Sequence, residues 1–77
     1  MKTIFKNRFL RDLEKAKGTH LLPKIKQLIA VVSKNHFQTP PPYEKLRGYE
    51  NTYSRRINEQ HRLIYIVEDG VISFARC

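Results

Sequence analysis

The strongest constraint on the fold lies in residues 43–77, where two β-hairpin patterns follow one another. Segments 52–57 and 62–67 are rich in β-branched and aromatic residues, and the polar residues 58–61 lie between them, as expected for two strands joined by a turn. Asp69-Gly70 is a second turn signal, after which residues 71–75 form a further strand pattern. The sequence therefore predicts three consecutive antiparallel strands.

The N-terminal half predicts two helices behind a short strand at residues 2–5. Asn7 is the expected cap of a first helix that ends at Gly18, and Thr19 is the expected cap of a second that runs to about Asn35. Apolar residues recur at helical spacing in both: Phe9, Leu10, Leu13, Ala16, then Leu21, Leu22, Ile25, Leu28, Ile29 and Val32. A proline-rich crossover at residues 39–42 then leads to the sheet. The order β-α-α-β-β-β predicts an α+β fold, with a small, mostly antiparallel sheet packed on two helices.

Charge is distributed unevenly along the 77 residues, which have the length of one domain (1–77). The formal net charge is +8, and residues 1–42 carry nine basic against two acidic side chains. A basic surface of this kind attracts polyanions such as nucleic acid. One cysteine excludes a disulfide framework, and no apolar run is long enough to span a membrane. We therefore expect a soluble, cytoplasmic protein.

The second hairpin defines two faces of the predicted sheet. With Asp69-Gly70 as a two-residue turn, Val67 faces Ile72, Tyr65 faces Phe74, and Arg62 faces Cys77. An apolar face for the helices is then formed by Leu63, Tyr65, Val67, Ile72 and Phe74. The other face carries Arg62, Ile64, Ile66, Ser73, Ala75 and Cys77.

The residues that could carry chemistry are a glutamate and several arginines. Histidine and cysteine are scattered singly, and neither a glycine-rich phosphate loop nor a serine or cysteine nucleophile pattern occurs, so we expect no metal and no cofactor. A three-residue loop in the first hairpin would set Arg56 opposite Arg62, whereas a four-residue loop would put them on opposite faces. Opposed arginines would require an anion, or an acid such as Glu44. A carboxylate with arginines suits ribonuclease chemistry, although such groups on strands are more often solvated ion pairs.

Three segments resemble the YoeB (Txe) family of RelE-like bacterial toxins: Tyr43-Glu44-Lys45-Leu46, Tyr53-Ser54-Arg55-Arg56-Ile57 and Glu59-Gln60-His61-Arg62-Leu63-Ile64-Tyr65. The resemblance implies a RelE-like fold and a ribosome-dependent mRNA endoribonuclease. It places Glu44 as general base, with Arg62 and Arg56 stabilising the transition state. Expected RNA contacts are Lys45, Arg47 and Arg55. His61 matches a family position that is not catalytic, and we expect it to be a turn residue.

The resemblance also implies partners: an acidic cognate antitoxin, mRNA in the ribosomal A site, and ribosomal RNA through the Lys-rich helices. Family members carry a terminal His-Tyr pair shortly after the position of Cys77, which this chain lacks. We therefore expect impaired cleavage from the 77-residue form. The alternatives are a gyrase-directed toxin of the ParE type and a non-enzymatic basic nucleic-acid-binding module.

Overall fold

Two helices and a five-stranded mixed sheet form the structure, a computed structural model that describes residues 2–77. The elements are β1 (Lys2–Phe5), α1 (Asn7–Ala16), α2 (Leu21–Lys34), β2 (Tyr43–Lys45), β3 (Thr52–Arg56), β4 (Arg62–Glu68) and β5 (Val71–Arg76). The strand order is β1-β5-β4-β3-β2; β1 is parallel to β5, and the other neighbours are antiparallel. The predicted α+β fold is confirmed, but the predicted order β-α-α-β-β-β lacks one strand, the short β2 at the edge of the sheet.

The two helices are joined by a turn that Thr19 organises. Its hydroxyl donates to the Ala16 carbonyl at 2.6 Å and accepts the Leu21 N–H at 3.2 Å, so it satisfies backbone groups of both helices. The expected cap at Asn7 is wrong by one position: Lys6 occupies the N-cap of α1 and forms no side-chain capping bond. No helix within residues 2–77 has the length and apolar character that crossing a membrane requires.

The core lies between the two helices and one face of the sheet. Phe9 of α1 and Leu28 and Val32 of α2 are buried against the apolar strand residues. Of the five predicted sheet residues, Leu63, Tyr65, Ile72 and Phe74 are fully buried, and Val67 packs against them while half-buried. The predicted apolar face is therefore confirmed.

The first hairpin has the three-residue loop, because Arg56 pairs directly with Arg62. Asn58 stabilises this loop: its side-chain oxygen accepts the N–H groups of Gln60 at 2.8 Å and His61 at 2.7 Å. The His61 carbonyl in turn accepts the N–H of Ile57 at 2.9 Å. His61 is thus a turn residue, and the two arginines share the sheet face opposite the helices.

The second hairpin confirms part of the expected register and corrects the rest. Val67 pairs with Ile72 and Tyr65 with Phe74, as expected, but a β-bulge then shifts the register so that Ile64 pairs with Arg76. Bulges insert one residue on one strand and change every pairing beyond them. The expected Arg62–Cys77 pair is therefore wrong.

Candidate active site

The candidate site lies on the sheet face that the helices leave open, and three adjacent strands build it. Glu44 on β2 pairs with Ser54 on β3, and Arg56 pairs with Arg62 at the start of β4. Paired residues of antiparallel strands point to the same face, and alternate residues along a strand do likewise. The four side chains therefore share one face.

Arg62 is the centre of this group because it contacts two of the others. Its Nε donates a hydrogen bond to the Ser54 hydroxyl, and its Nη2 lies 3.5 Å from Glu44 Oε1. Ser54 is fully buried, whereas the side chains of Arg62 and Glu44 are 35% and 70% exposed. A fixed inner contact thus orients the guanidinium, while the carboxylate remains accessible to a ligand.

The charge of the site is unbalanced in favour of the cations. Arg56 is exposed and lies opposite Arg62, and no acidic side chain of residues 2–77 forms an ion pair with it. Glu44 alone compensates the two guanidinium groups. Like charges side by side repel, so this face favours an added anion such as a phosphate group.

Lys45 and Arg47 lie beside the site rather than in it. Lys45 follows Glu44 on β2, so its side chain belongs to the opposite face at the edge of the sheet. Arg47 lies in the following turn, and both side chains are exposed around a shallow groove that extends to Tyr49. They border the β2 edge, where a polyanion leaving the open face would pass.

Arg55, an expected RNA contact, lies in the protein interior. It is fully buried, its Nη1 and Nη2 donate to the carbonyls of Pro41 at 2.7 Å and His36 at 3.0 Å, and its Nε donates to the Tyr65 hydroxyl at 3.0 Å. The expectation is corrected by the parity of β3, which turns Arg55 toward the helices and Arg56 toward solvent.

Groups around Arg55 are held in their neutral forms. Burial and the Arg55 charge lower the pKa of His36, whose Nδ1 is buried without a hydrogen-bond partner among residues 2–77. Burial raises the pKa of Tyr65, against the opposing effect of the Arg55 hydrogen bond. The guanidinium is thus the charged member of this buried group, and no carboxylate pairs with it in the described chain.

A second concave feature lies at the end of β5. A cavity of about 430 Å³ opens between α1, α2 and the first hairpin, and Asp12 forms part of its wall. Asp12 Oδ2 accepts hydrogen bonds from Arg76 Nε at 2.7 Å and from the Cys77 N–H at 3.2 Å. Burial, with a smaller effect of the Asp12 charge, raises the pKa of Cys77 to about 11, so the thiol is protonated at pH 7. Within residues 2–77, no three side chains of His, Cys, Asp or Glu lie close enough together to hold a metal ion.

Ser54 is the site residue that the sequence analysis missed. A serine that precedes two arginines gives little indication of a role by itself. Its parity was informative, because Ser54 and Arg56 are two residues apart on one strand and so share a face. Assigning that parity required the loop length of the hairpin, which the sequence left open.

Comparison with known proteins places these features in a family. The model of the YoeB-like toxin of bacterial type II toxin-antitoxin systems matches residues 5–77, whereas no curated protein matches significantly. A YoeB/ParE toxin from Agrobacterium tumefaciens is 27% identical with a TM-score of 0.88, over 100% of this chain and 95% of that one. A chain of the heterotetrameric YoeB-YefM toxin-antitoxin complex from Staphylococcus aureus is 30% identical to this one with a TM-score of 0.82, and the match covers 100% of this chain and 93% of that chain. The E. coli DinJ-YafQ complex, at 20% identity over 97% and 88%, shares the fold with a TM-score of 0.85.

Proposed function

The chain belongs to the YoeB-like toxins of bacterial type II toxin–antitoxin systems, and on that basis we propose that it is an endoribonuclease that cleaves mRNA on the ribosome. The observation that carries the proposal is the open-face group, in which Glu44 lies 3.5 Å from Arg62 and Arg56 lies alongside. One exposed carboxylate beside two guanidinium groups offers a base together with a phosphate-binding site.

In the proposed reaction, Glu44 takes the proton from an RNA 2′-hydroxyl, and the oxygen attacks the adjacent phosphorus. Negative charge builds on the phosphoryl oxygens, where Arg62 and Arg56 stabilise it. The bond to the 5′-oxygen then breaks, which leaves a 2′,3′-cyclic phosphate and, after protonation, a free 5′-hydroxyl. Because Arg62 is hydrogen-bonded to buried Ser54, its guanidinium is oriented before the substrate arrives.

Basic residues outside the site are proposed to hold the RNA. Lys45 and Arg47 border the groove at the β2 edge and would contact phosphates flanking the cleaved one. The helices carry an excess of lysine, including Lys24, Lys26 and Lys34, all exposed, and would approach ribosomal RNA. Such contacts supply affinity that falls with added salt. A protein acting on mRNA in the ribosomal A site would work in the cytoplasm.

An acidic antitoxin is the proposed protein partner. The S. aureus relative was solved as a YoeB-YefM toxin-antitoxin complex, and the open face here combines Arg56 and Arg62 with the half-buried Ile64 and Ile66. An acidic segment with apolar residues would cover both kinds of surface. Copurification of the two proteins in 1 M salt is expected. Complete dissociation in moderate salt would show that charge alone holds them together.

The activity is tested by mapping cleavage of mRNA on purified ribosomes by primer extension. Glu44→Gln is expected to reduce the cleavage rate about 10²–10⁴-fold, since it removes the general base. Glu68→Gln, at the exposed far end of β4, is the matched control and should cleave normally. If the parent chain leaves ribosome-bound mRNA intact, or if Glu44→Gln cleaves at the parent rate, the proposal is wrong.

A gyrase-directed toxin is the alternative, since the A. tumefaciens relative carries the name YoeB/ParE. The same preparations decide between the two activities in a DNA supercoiling assay with purified gyrase. We expect no inhibition of supercoiling. Inhibition that survives Glu44→Gln would favour the gyrase-directed activity.

A further inference from the structure

The buried Arg55 guanidinium links β3 to β4 and to the crossover between α2 and β2. Its fork binds the carbonyls of His36 and Pro41, five residues apart in the crossover between α2 and β2. The Tyr65 hydroxyl accepts from Arg55 and donates to the His36 carbonyl at 3.4 Å. The Tyr43 ring lies 5.1 Å from the guanidinium carbon. We call Arg55, Tyr65, Tyr43 and the two carbonyls the Arg55 clasp.

The crossover (residues 35–42) has few bonds of its own. Its local hydrogen bonds lie at its start, where Asn35 accepts the N–H groups of Phe37 at 3.1 Å and Gln38 at 3.0 Å. The three consecutive prolines that follow, at 40–42, have no N–H to donate. The Arg55 clasp therefore supplies hydrogen bonds that attach the end of the crossover to the sheet, beside the packing of Phe37 on Tyr53 nearer its start.

The strand that follows the crossover also depends on β3. β2 has three residues, lies at the edge of the sheet, and pairs with β3 alone. Tyr43 pairs with Arg55, and the next residue, Glu44, pairs with Ser54. The Glu44 side chain is 70% exposed and its one ion pair within residues 2–77 is the 3.5 Å contact to Arg62. Its carboxylate is consequently placed by the backbone of β2 rather than by side-chain packing.

From these contacts we infer that Arg55 is a positioning residue, which fixes the crossover and the start of β2 and thereby places Glu44 against Arg62. The predicted effect of Arg55 on cleavage rests on the proposed function, whereas its predicted effect on the position of β2 does not. The planar guanidinium holds two carbonyls and a hydroxyl in fixed directions because each is bound by a different nitrogen. Lysine in its place keeps the charge but loses this geometry.

The test compares Arg55→Lys with core variants of equal stability. Ile72→Val and Ile72→Ala lower stability on β5, two strands away from β3, and provide a calibration of cleavage against melting temperature. We expect Arg55→Lys to have a kcat about 10–100-fold lower than that of an Ile72 variant with the same melting temperature, since misplacing a catalytic group by about 1 Å can lower the rate about 10²-fold. The KM for programmed ribosomes should stay unchanged, because the exposed basic surface is intact. Tyr65→Phe, which removes one member of the clasp, should show a smaller effect in the same direction.

A measurement independent of activity follows the position of β2. The Leu46 N–H donates to the Thr52 carbonyl at 2.9 Å beside β2, and the Lys6 N–H donates to the Phe74 carbonyl at 3.0 Å on the opposite side of the sheet. In Arg55→Lys and Tyr65→Phe, hydrogen exchange at Leu46 should accelerate at least tenfold relative to Lys6. Equal changes at both amides, or cleavage no lower than in the Ile72 variants, would overturn the inference. If the parent chain does not cleave, the proposed function fails while the exchange experiment still decides the role of Arg55.

Discussion

Replacing Ser54 by alanine isolates the contact that orients Arg62. The Ser54 hydroxyl accepts the hydrogen bond from Arg62 Nε and is fully buried. Alanine fits the same space and leaves the backbone of β3 unchanged. After the substitution, the polar contact that Arg62 retains among residues 2–77 is the 3.5 Å one to the exposed Glu44, so its side chain can adopt several rotamers in the free protein.

The size of the effect follows from the kind of bond removed. A hydrogen bond to a charged group contributes about 1.5–3 kcal/mol. The guanidinium must return to its position when negative charge builds on the phosphate. We therefore expect the free energy of the lost hydrogen bond to be added to the activation free energy of cleavage. At about 1.36 kcal/mol for each tenfold in rate, kcat should fall about 10–150-fold. Folding stability should change by less, since Arg62 is 35% exposed and water can satisfy its Nε.

Single-turnover cleavage of ribosome-bound mRNA measures this effect, and thermal unfolding measures stability in parallel. Ser73→Ala is the matched control: Ser73 lies on the same sheet face but pairs with Ile66, away from the arginines. Its cleavage rate should stay within about twofold of the parent, a change below 0.5 kcal/mol. A Ser54→Ala variant that cleaves as fast as Ser73→Ala would refute the view that this hydroxyl prepares Arg62 for catalysis.

Two further predictions concern the end of β5. Burial disfavours the charged form of Asp12, but the hydrogen bonds to Asp12 and the Arg76 charge outweigh the effect of burial and lower the Asp12 pKa. The Asp12 carboxylate therefore stabilises the fold above about pH 4, and this stabilisation is lost as the pH falls through the pKa of Asp12 in the folded protein. Asp12→Asn should therefore lower the free energy of unfolding by about 1–3 kcal/mol at pH 7 and far less at pH 2, measured by urea unfolding; equal losses at both pH values would contradict this. Cys77, with a pKa raised to about 11 by burial, should react slowly with iodoacetamide at pH 8 and faster up to pH 11, followed by mass spectrometry; a rate at pH 8 equal to that of a free thiol would count against it.

The fold was predictable because the apolar residues of the strands form one face of a sheet and those of the helices form the surface that packs on it. Alternation on β4 and β5 placed Leu63, Tyr65 and Phe74 on one face, and the helical stripes supplied the matching surface. The alternation within each strand and the stripe on each helix do not depend on loop length, and the two-residue Asp69-Gly70 turn then aligns the two strands. The register of the second hairpin was predictable only near its turn, since the β-bulge beyond Tyr65 has no glycine or proline to reveal it. The error at Cys77 follows from that bulge, because a bulge shifts every pairing beyond it by one residue.

Arg55 and Arg56 show why the site could be predicted only in part. The two residues have the same chemistry, are adjacent in sequence, and belong to one family-like motif. Which of them faces solvent is decided by strand parity, and parity is set by the three-residue loop that Asn58 closes. One turn residue thus assigns one arginine to the interior and the other to the open face. A loop longer by one residue would exchange their environments, which is why the hairpin turn, although it carries none of the proposed catalytic groups, determines which arginine this site presents.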